Sequence, residues 1–173
     1  MYGVRVPKYL ALGLAIFLLL PSKESYSQEH SYQSSNFPDR FIRHRNFLGF
    51  VEQINDQQTA KDAVFVAVPG LSGTCHSLEA KNFPGFFLRH QNFRLKLSRA
   101  ENSQLFREDA TFCFRDGLAD AQGFSFESVN FPNHYIRHRD FELVLSPNDD
   151  TAGYKRDATF IERSPVPAPG RID

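Results

Sequence analysis

The chain is 173 residues long and carries 20 basic and 20 acidic side chains. That length holds one ordinary domain with a real core, and a second, catalytic domain is not expected beside it. The balanced charge gives no net field toward nucleic acid or an acidic membrane, so an uncharged partner is expected. With 18 Phe, one Met and no Trp, the core must be built from Phe, Leu, Val and Ile, a composition that leans toward β structure.

At the N-terminus, Arg5 and Lys8 precede an apolar run from Tyr9 to Leu20 that ends at Pro21. This is the pattern of an export signal, too short to span a bilayer comfortably. Ser25-Tyr26-Ser27 offers a cleavage point, so residues 1–27 read as a signal peptide, with an uncleaved anchor as the alternative. The expected product is a secreted, extracellular monomer with no membrane span after cleavage. In an oxidising compartment Cys75 and Cys113 are expected to form one disulfide, the alternative being two separately buried thiols.

From residue 30 the chain repeats itself. Asn36-Phe37-Pro38 opens a segment that continues through Phe41-Ile42-Arg43-His44 to Asn46-Phe47. It returns from Asn82-Phe83-Pro84 through Phe87-Leu88-Arg89-His90 to Asn92-Phe93, and from Asn130-Phe131-Pro132 through Tyr135-Ile136-Arg137-His138 to Asp140-Phe141. Each copy closes on a second shared element: Asp62-Ala63-Val64-Phe65, Asp109-Ala110-Thr111-Phe112 and Asp157-Ala158-Thr159-Phe160. The copies span about residues 30–75, 76–122 and 123–163, the signature of a three-repeat architecture.

Within a copy the periodicity is strand-like. First strands are predicted at Ser77 to Lys81 and Ser125 to Val129, each stopped by Asn-Phe-Pro, where proline removes a ladder donor. Second strands run through Phe86 to His90 and His134 to His138. Third strands put Phe93, Leu95 and Leu97, or Phe141, Leu143 and Leu145, on one inward face. Fourth strands run through Ala110 to Arg115 and Ala158 to Arg163. Three such units round a pseudo-threefold axis leave no free edge, which predicts an all-β fold, a β-trefoil of three four-stranded repeats over residues 28–163; a three-bladed propeller is the competitor. In the first copy Gly49 replaces an inward Leu, Gln33 stands where the others have Glu79 and Glu127, and Val64 replaces Thr. Its pocket is therefore the one open to decay. Residues 164–173 are Pro-rich and read as a flexible tail.

Polar residues kept in all three copies are the candidates for chemistry. His44, His90 and His138 precede Asp62, Asp109 and Asp157 by 18, 19 and 19 residues, a register that suits one pocket per repeat. A carboxylate accepts two hydroxyl hydrogens, a neutral imidazole both donates and accepts, and a ring packs on C–H faces, so the set suits a sugar. Phe41, Phe87 and Tyr135 are the candidate aromatic wall. The competing reading makes each Asp a turn cap and each His a satisfied core residue. The Arg43-His44-Arg45 and Arg137-His138-Arg139 clusters also suit a phosphate or heparin patch or solvated strand ends. The scattered histidines suit no metal site, no cofactor is expected, and a Glu79 with Asp109 or Glu127 with Asp157 hydrolytic pair is disfavoured because a catalytic pair rarely comes in near-identical copies.

The phrases Phe126-Glu127-Ser128-Val129-Asn130-Phe131-Pro132, Tyr135-Ile136-Arg137-His138-Arg139 and Asp157-Ala158-Thr159-Phe160 resemble the AbfB domain, the arabinose-binding module classed as carbohydrate-binding module family 42. The resemblance covers roughly residues 30 to 163. It implies a β-trefoil that binds arabinofuranose side chains of arabinoxylan or arabinan, with His90 and Asp109, His138 and Asp157, and His44 and Asp62 contacting the sugar. It also agrees with a Cys75–Cys113 bridge. Enzymes of that family carry an upstream catalytic domain where this chain has its apolar leader, so arabinofuranosidase activity is not expected to transfer. A protein-binding scaffold is the further alternative.

Overall fold

The computed structural model describes residues 28–170; the leader assigned to residues 1–27 and the last three residues lie outside them. Each copy contributes four strands with one short helix before the last. The first is β1 (Glu29–Ser34), β2 (Arg40–Arg45), β3 (Leu48–Gln53), α1 (Gln57–Lys61) and β4 (Phe65–Pro69). The second is β5 (His76–Ala80), β6 (Phe86–Gln91), β7 (Arg94–Arg99), α2 (Gln104–Asp109) and β8 (Phe112–Asp116). The third is β9 (Phe124–Ser128), β10 (His134–Arg139), β11 (Glu142–Pro147), α3 (Ala152–Asp157) and β12 (Phe160–Arg163).

All twelve strands join one antiparallel sheet. The outer strands of the copies form a closed ring, β1 to β4 to β5 to β8 to β9 to β12 and back to β1. The hairpins β2–β3, β6–β7 and β10–β11 meet over one end of that ring, where β3, β7 and β11 pair with one another. Closure removes the edges that a lone repeat would expose.

The core follows the same threefold pattern. Tyr32, Leu78 and Phe126 occupy matching places, as do Ile42, Leu88 and Ile136, then Val51, Leu97 and Leu145, then Phe65, Phe112 and Phe160; each is at most 2% exposed. Tyr32, Phe114 and Phe126 pack edge to face at 4.8–6.4 Å, the arrangement favoured by ring quadrupoles. Around the axis the symmetry breaks. A Cβ on Gly49 would lie 3.1 Å from Leu143 and 3.3 Å from Leu95, its two counterparts, so three leucines would overfill the layer and glycine in one copy relieves it. Beside it Arg94 Nη1 donates to the carbonyls of Gly49, Leu95 and Leu143 at 2.6, 3.0 and 2.6 Å.

Two features differ from the sequence expectation. The segments before the fourth strands are helical, so that strand starts at Phe112 rather than Ala110 and at Phe160 rather than Ala158. These helices have only 5 or 6 residues, too few to show a 3.6-residue period, although Asp56, Ser103 and Thr151 cap them through bonds from Thr59 N, Phe106 N and Tyr154 N. Second, Phe93 and Phe141 do not join Leu95 and Leu143 inside. With Phe47 they fall in two-residue hairpin turns, Asn46-Phe47, Asn92-Phe93 and Asp140-Phe141, where both residues have φ of 51–63°. That is the type I′ geometry whose twist matches flanking strands. Asn and Asp accept it readily; a phenylalanine there is strained. The strain is held by bonds from the neighbouring copy: Leu97 N, Leu145 N and Val51 N donate to the carbonyls of Phe47, Phe93 and Phe141, each at 2.8 Å.

The predicted disulfide is present. Cys75, just before β5, bonds to Cys113 in β8 across 38 residues of chain, fastening the first and last strands of the second copy. Past β12, Val166 N donates to Ser31 Oγ at 3.1 Å.

Candidate functional site

Each His and Asp pair assembles within its own copy, at 3.3–3.5 Å, and an asparagine from another copy completes the site. The residue before each Asn-Phe-Pro asparagine is tied by its backbone to the copy preceding it around the ring. Lys81 N donates to Val64 O at 3.0 Å, Val129 N to Thr111 O at 3.2 Å, and Ser35 N to Thr159 O at 3.1 Å. Those acceptors lie two residues beyond Asp62, Asp109 and Asp157, so each asparagine is delivered to the previous copy's carboxylate.

The first site joins Arg43, His44 and Asp62 to Asn82. Asn82 Nδ2 donates to Asp62 Oδ1 at 2.8 Å, while its Oδ1 lies 2.9 Å from His44 Nε2. Arg43 Nη2 donates to Asp62 Oδ2 at 3.1 Å. The second site repeats this with Asn130 to Asp109 at 2.9 Å, His90 to Asn130 at 3.0 Å and Arg89 to Asp109 at 3.0 Å. In the third, closed by the first copy, Asn36 donates to Asp157 at 2.8 Å and His138 meets Asn36 at 3.0 Å, but Arg137 stands 3.6 Å from the carboxylate. The asparagine carbonyl is an acceptor only, so it selects the Nε2–H tautomer of each imidazole. In the second and third sites Ser128 and Ser34 hydroxyls also donate to that carbonyl, at 2.7 and 2.8 Å. Burial holds His90 and His138 below the ordinary histidine value, so both imidazoles are neutral at pH 7.

Helix ends position the carboxylates. Asp109 and Asp157 are the last residues of α2 and α3, and Asp62 is the C-cap of α1. A negative charge there opposes the helix dipole, which the arginine beneath it offsets. The arginines are themselves fixed by rings, Arg89 over Phe106 at 5.2 Å and Arg137 over Tyr154 at 5.0 Å.

The aromatic wall is a correction. Phe87 packs with Phe106 and Ala110, and Tyr135 with Tyr154 and Ala158, in small clusters under the helices. Phe41, paired across the sheet with Glu52, stands three residues before His44, and strand alternation turns such a residue to the opposite face. The rings at the imidazoles come instead from Asn-Phe-Pro and from the hairpin turns. Phe83 lies edge-on to His44 at 5.3 Å with Phe47 beside it. Phe131 and Phe93 flank His90, and Phe37 and Phe141 flank His138. Of the turn phenylalanines, Phe47 and Phe93 are exposed by nearly half, while Phe141 is half-buried with the Arg40 guanidinium 3.9 Å over its ring. Spacing within a copy does not mark the asparagines and these rings as site residues, although all recur three times.

The first copy's site is as complete as the others. The threonine it lacks serves elsewhere: Thr111 and Thr159 hydroxyls donate to Arg107 O and Lys155 O and accept from Ser72 N and Ala119 N, tying helix to loop. Two clefts stand open, one of about 350 Å³ lined by His44, Phe47, Gln58, Asp62 and Phe83, and one of about 330 Å³ lined by Asn36, Phe37, His138, Phe141 and Asp157. The glutamates proposed for a hydrolytic pair are occupied as turn clamps. Glu79 accepts from Gly85 N at 2.6 Å and Glu127 from Asn133 N at 2.8 Å and Arg115 at 2.8 Å. Burial pushes Glu127 up, but these bonds outweigh it and hold the carboxyl low, the wrong direction for a general acid. Among the described residues no cluster of three or more His, Cys, Asp or Glu is placed to hold a metal ion, and no helix is long and apolar enough to cross a membrane.

The fold is similar to a GH54 α-L-arabinofuranosidase soaked with a cyclic sulfate inhibitor, and to an arabinofuranosidase complexed with arabinofuranosyl-α-1,2-xylobiose, each with a TM-score of 0.74 and 25% identity over 82% of this chain. This chain spans only 32% of either of those chains. A protein named BEL β-trefoil is similar at a TM-score of 0.61 and 12% identity, covering 82% of this chain and 96% of its own. No curated protein matches by sequence. Residues 30–161 match the α-L-arabinofuranosidase B (ABFB) domain family, and the chain belongs to that family.

Proposed function

We propose that this protein is a secreted, non-catalytic carbohydrate-binding module that recognises arabinofuranose side chains of polysaccharides such as arabinoxylan or arabinan. The observation that carries the reading is the threefold recurrence of one polar cluster, Arg, Asp, His and Asn, opening beside two phenylalanine rings at every junction between copies. A furanose offers vicinal hydroxyls and C–H faces. The carboxylate accepts hydroxyl hydrogens, and the exposed rings of Phe47 and Phe93 and the half-buried ring of Phe141 supply C–H contact. We read the body, residues 28–163, as a β-trefoil of three four-stranded repeats, with the closed ring and the three capping hairpins in support. Weak single sites on one rigid body gain avidity on a branched chain. The Cys75–Cys113 bridge supports an oxidising, extracellular setting. The occupied glutamates favour binding over hydrolysis.

Titration calorimetry of the full-length protein with arabinoxylan and with unbranched xylan tests this. Heat with arabinoxylan alone, lost in a folded Phe47→Ala plus Phe93→Ala plus Phe141→Ala variant, is expected. Equal binding to both polymers, or none to either, would refute the furanose reading.

A further inference from the structure

The three sites share their ligating residues but not their lids. The residue four positions before each aspartate lies on the same helix face, and it is Gln58, Leu105 and Gly153 in turn. In the first site Gln58 Nε2 donates to Asp62 Oδ1 at 2.8 Å. Together with Asn82 on the same oxygen and Arg43 on the other, this leaves the Asp62 side chain 8% exposed. In the second site Leu105 holds the same position but is itself 64% exposed, and Arg89 and Asn130 hold the Asp109 side chain at 6% exposure. In the third, a Cβ on Gly153 would meet only Thr151 Oγ1, 4.0 Å away, and the Asp157 side chain is 26% exposed.

Asp157 is also less committed. Arg137 Nη1 is 3.6 Å from its Oδ2, beyond hydrogen-bonding distance. Among the described residues Arg137 Nε is buried without a hydrogen-bond partner, whereas Arg43 Nε and Arg89 Nε each bond the following histidine's carbonyl at 3.3 Å. One carboxylate oxygen of the third site is thus free to accept a ligand hydroxyl, while the corresponding oxygens of the first two are taken by arginine.

We infer that the residue four positions before the site aspartate, Gln58 in the first site and Gly153 in the third, gates that carboxylate, and that the third site, where it is Gly153, is the principal sugar site. The inference rests on the furanose reading for its ligand but not for its gate. A hydroxyl bonded to a free carboxylate oxygen contributes about tenfold or more in affinity over one that must displace a protein donor. The first two sites would then act as weaker auxiliaries on a polymer.

Two measurements on the full-length protein test it, using Gly153→Gln, which supplies a lid, and Gln58→Ala, which removes one without loss of helix propensity. Carbodiimide labelling of carboxyl groups needs no ligand. Asp157 should label faster than Asp62 and Asp109, Gly153→Gln should slow Asp157, and Gln58→Ala should quicken Asp62. Titration with methyl α-L-arabinofuranoside, followed through the side-chain amide NMR signals of Asn36, Asn82 and Asn130, reads each site separately. The Asn36 signal should saturate first, and Gly153→Gln should weaken that site about tenfold. Equal labelling of the three aspartates, or unchanged affinity at Asn36 in Gly153→Gln, overturns the inference. Labelling that follows the lids, with no amide shift at any site, overturns the furanose reading instead.

Discussion

Replacing Asp109 by alanine should cost the protein far more stability than replacing Asp157 by alanine, although the two residues occupy the same place in successive copies. The Asp109 and Arg89 side chains are each 6% exposed and 3.0 Å apart. Removing the carboxylate leaves a buried guanidinium unpaired and strips Asn130 Nδ2 of its acceptor at 2.9 Å. Breaking one partner out of such a pair costs about 3–5 kcal/mol. For a domain of roughly 140 residues each kcal/mol lowers Tm by about 3–4 °C, so Tm should fall by about 10–20 °C. Asp157 is 26% exposed and 3.6 Å from Arg137, so its loss removes a partly screened pair and one bond to Asn36, about 1–2 kcal/mol and a Tm decrease of about 3–8 °C. Scanning calorimetry at pH 7 decides the matter. Equal decreases for the two variants would refute the claim that the second site is a buried ion pair and the third an open one. The result also bears on design, because alanine at Asp109 confounds binding with folding, whereas alanine at the exposed Phe47 and Phe93 does not.

Three further outcomes follow from the structure. Burial lowers His90 and His138 from their ordinary 6.5, so between that value and the lower folded ones the unfolded chain binds more protons. Their contribution to stability is therefore full above about pH 6.5 and declines as the pH falls toward the folded values; denaturant midpoints that stay level from pH 8 to 5 would contradict this. Reducing the Cys75–Cys113 bond, which spans 38 residues, should remove about 4 kcal/mol in the chain-entropy model, seen as a lower urea midpoint in dithiothreitol; an unchanged midpoint would contradict it. Arg94→Met strips three carbonyls at the axis of a shared donor and should destabilise by about 2–3 kcal/mol, whereas an unaltered unfolding curve would show that the contact is incidental.

Much of the architecture was open to reading because the strands are amphipathic and occur three times. Ile42, Leu88 and Ile136 sit at one register, as do Val51, Leu97 and Leu145, and period-2 alternation places them inside without knowledge of the partners. The helices were hidden by their brevity, with only the capping residues Asp56, Ser103 and Thr151 to mark them. Phe93 and Phe141 match the inward period of their strands by hydrophobicity alone, yet they lie in the turns. The preceding Asn92 and Asp140 are the residues that tolerate a left-handed turn, and that was the signal for an exposed ring. The His and Asp partners were legible from a constant spacing within a copy. Asn36, Asn82 and Asn130 were not, because each serves the site of a different copy, and a register counted along the chain does not reveal a contact made across a ring closure. The turn threonine was similarly ambiguous: Thr111 and Thr159 recur beside the site aspartates yet bond helix and loop backbone.

The central claim is that arabinofuranose binds at the junctions between copies, beside the Asp, His and Asn cluster. A crystal structure of the protein soaked with an arabinofuranosyl-xylooligosaccharide addresses it directly. The account predicts a furanose in the cleft lined by Phe37, Phe141 and His138, with a hydroxyl on Asp157, at higher occupancy than at Asp62 or Asp109. Furanose density confined to any other surface, with the Asp157 cleft accessible in the lattice and unfilled, would contradict it.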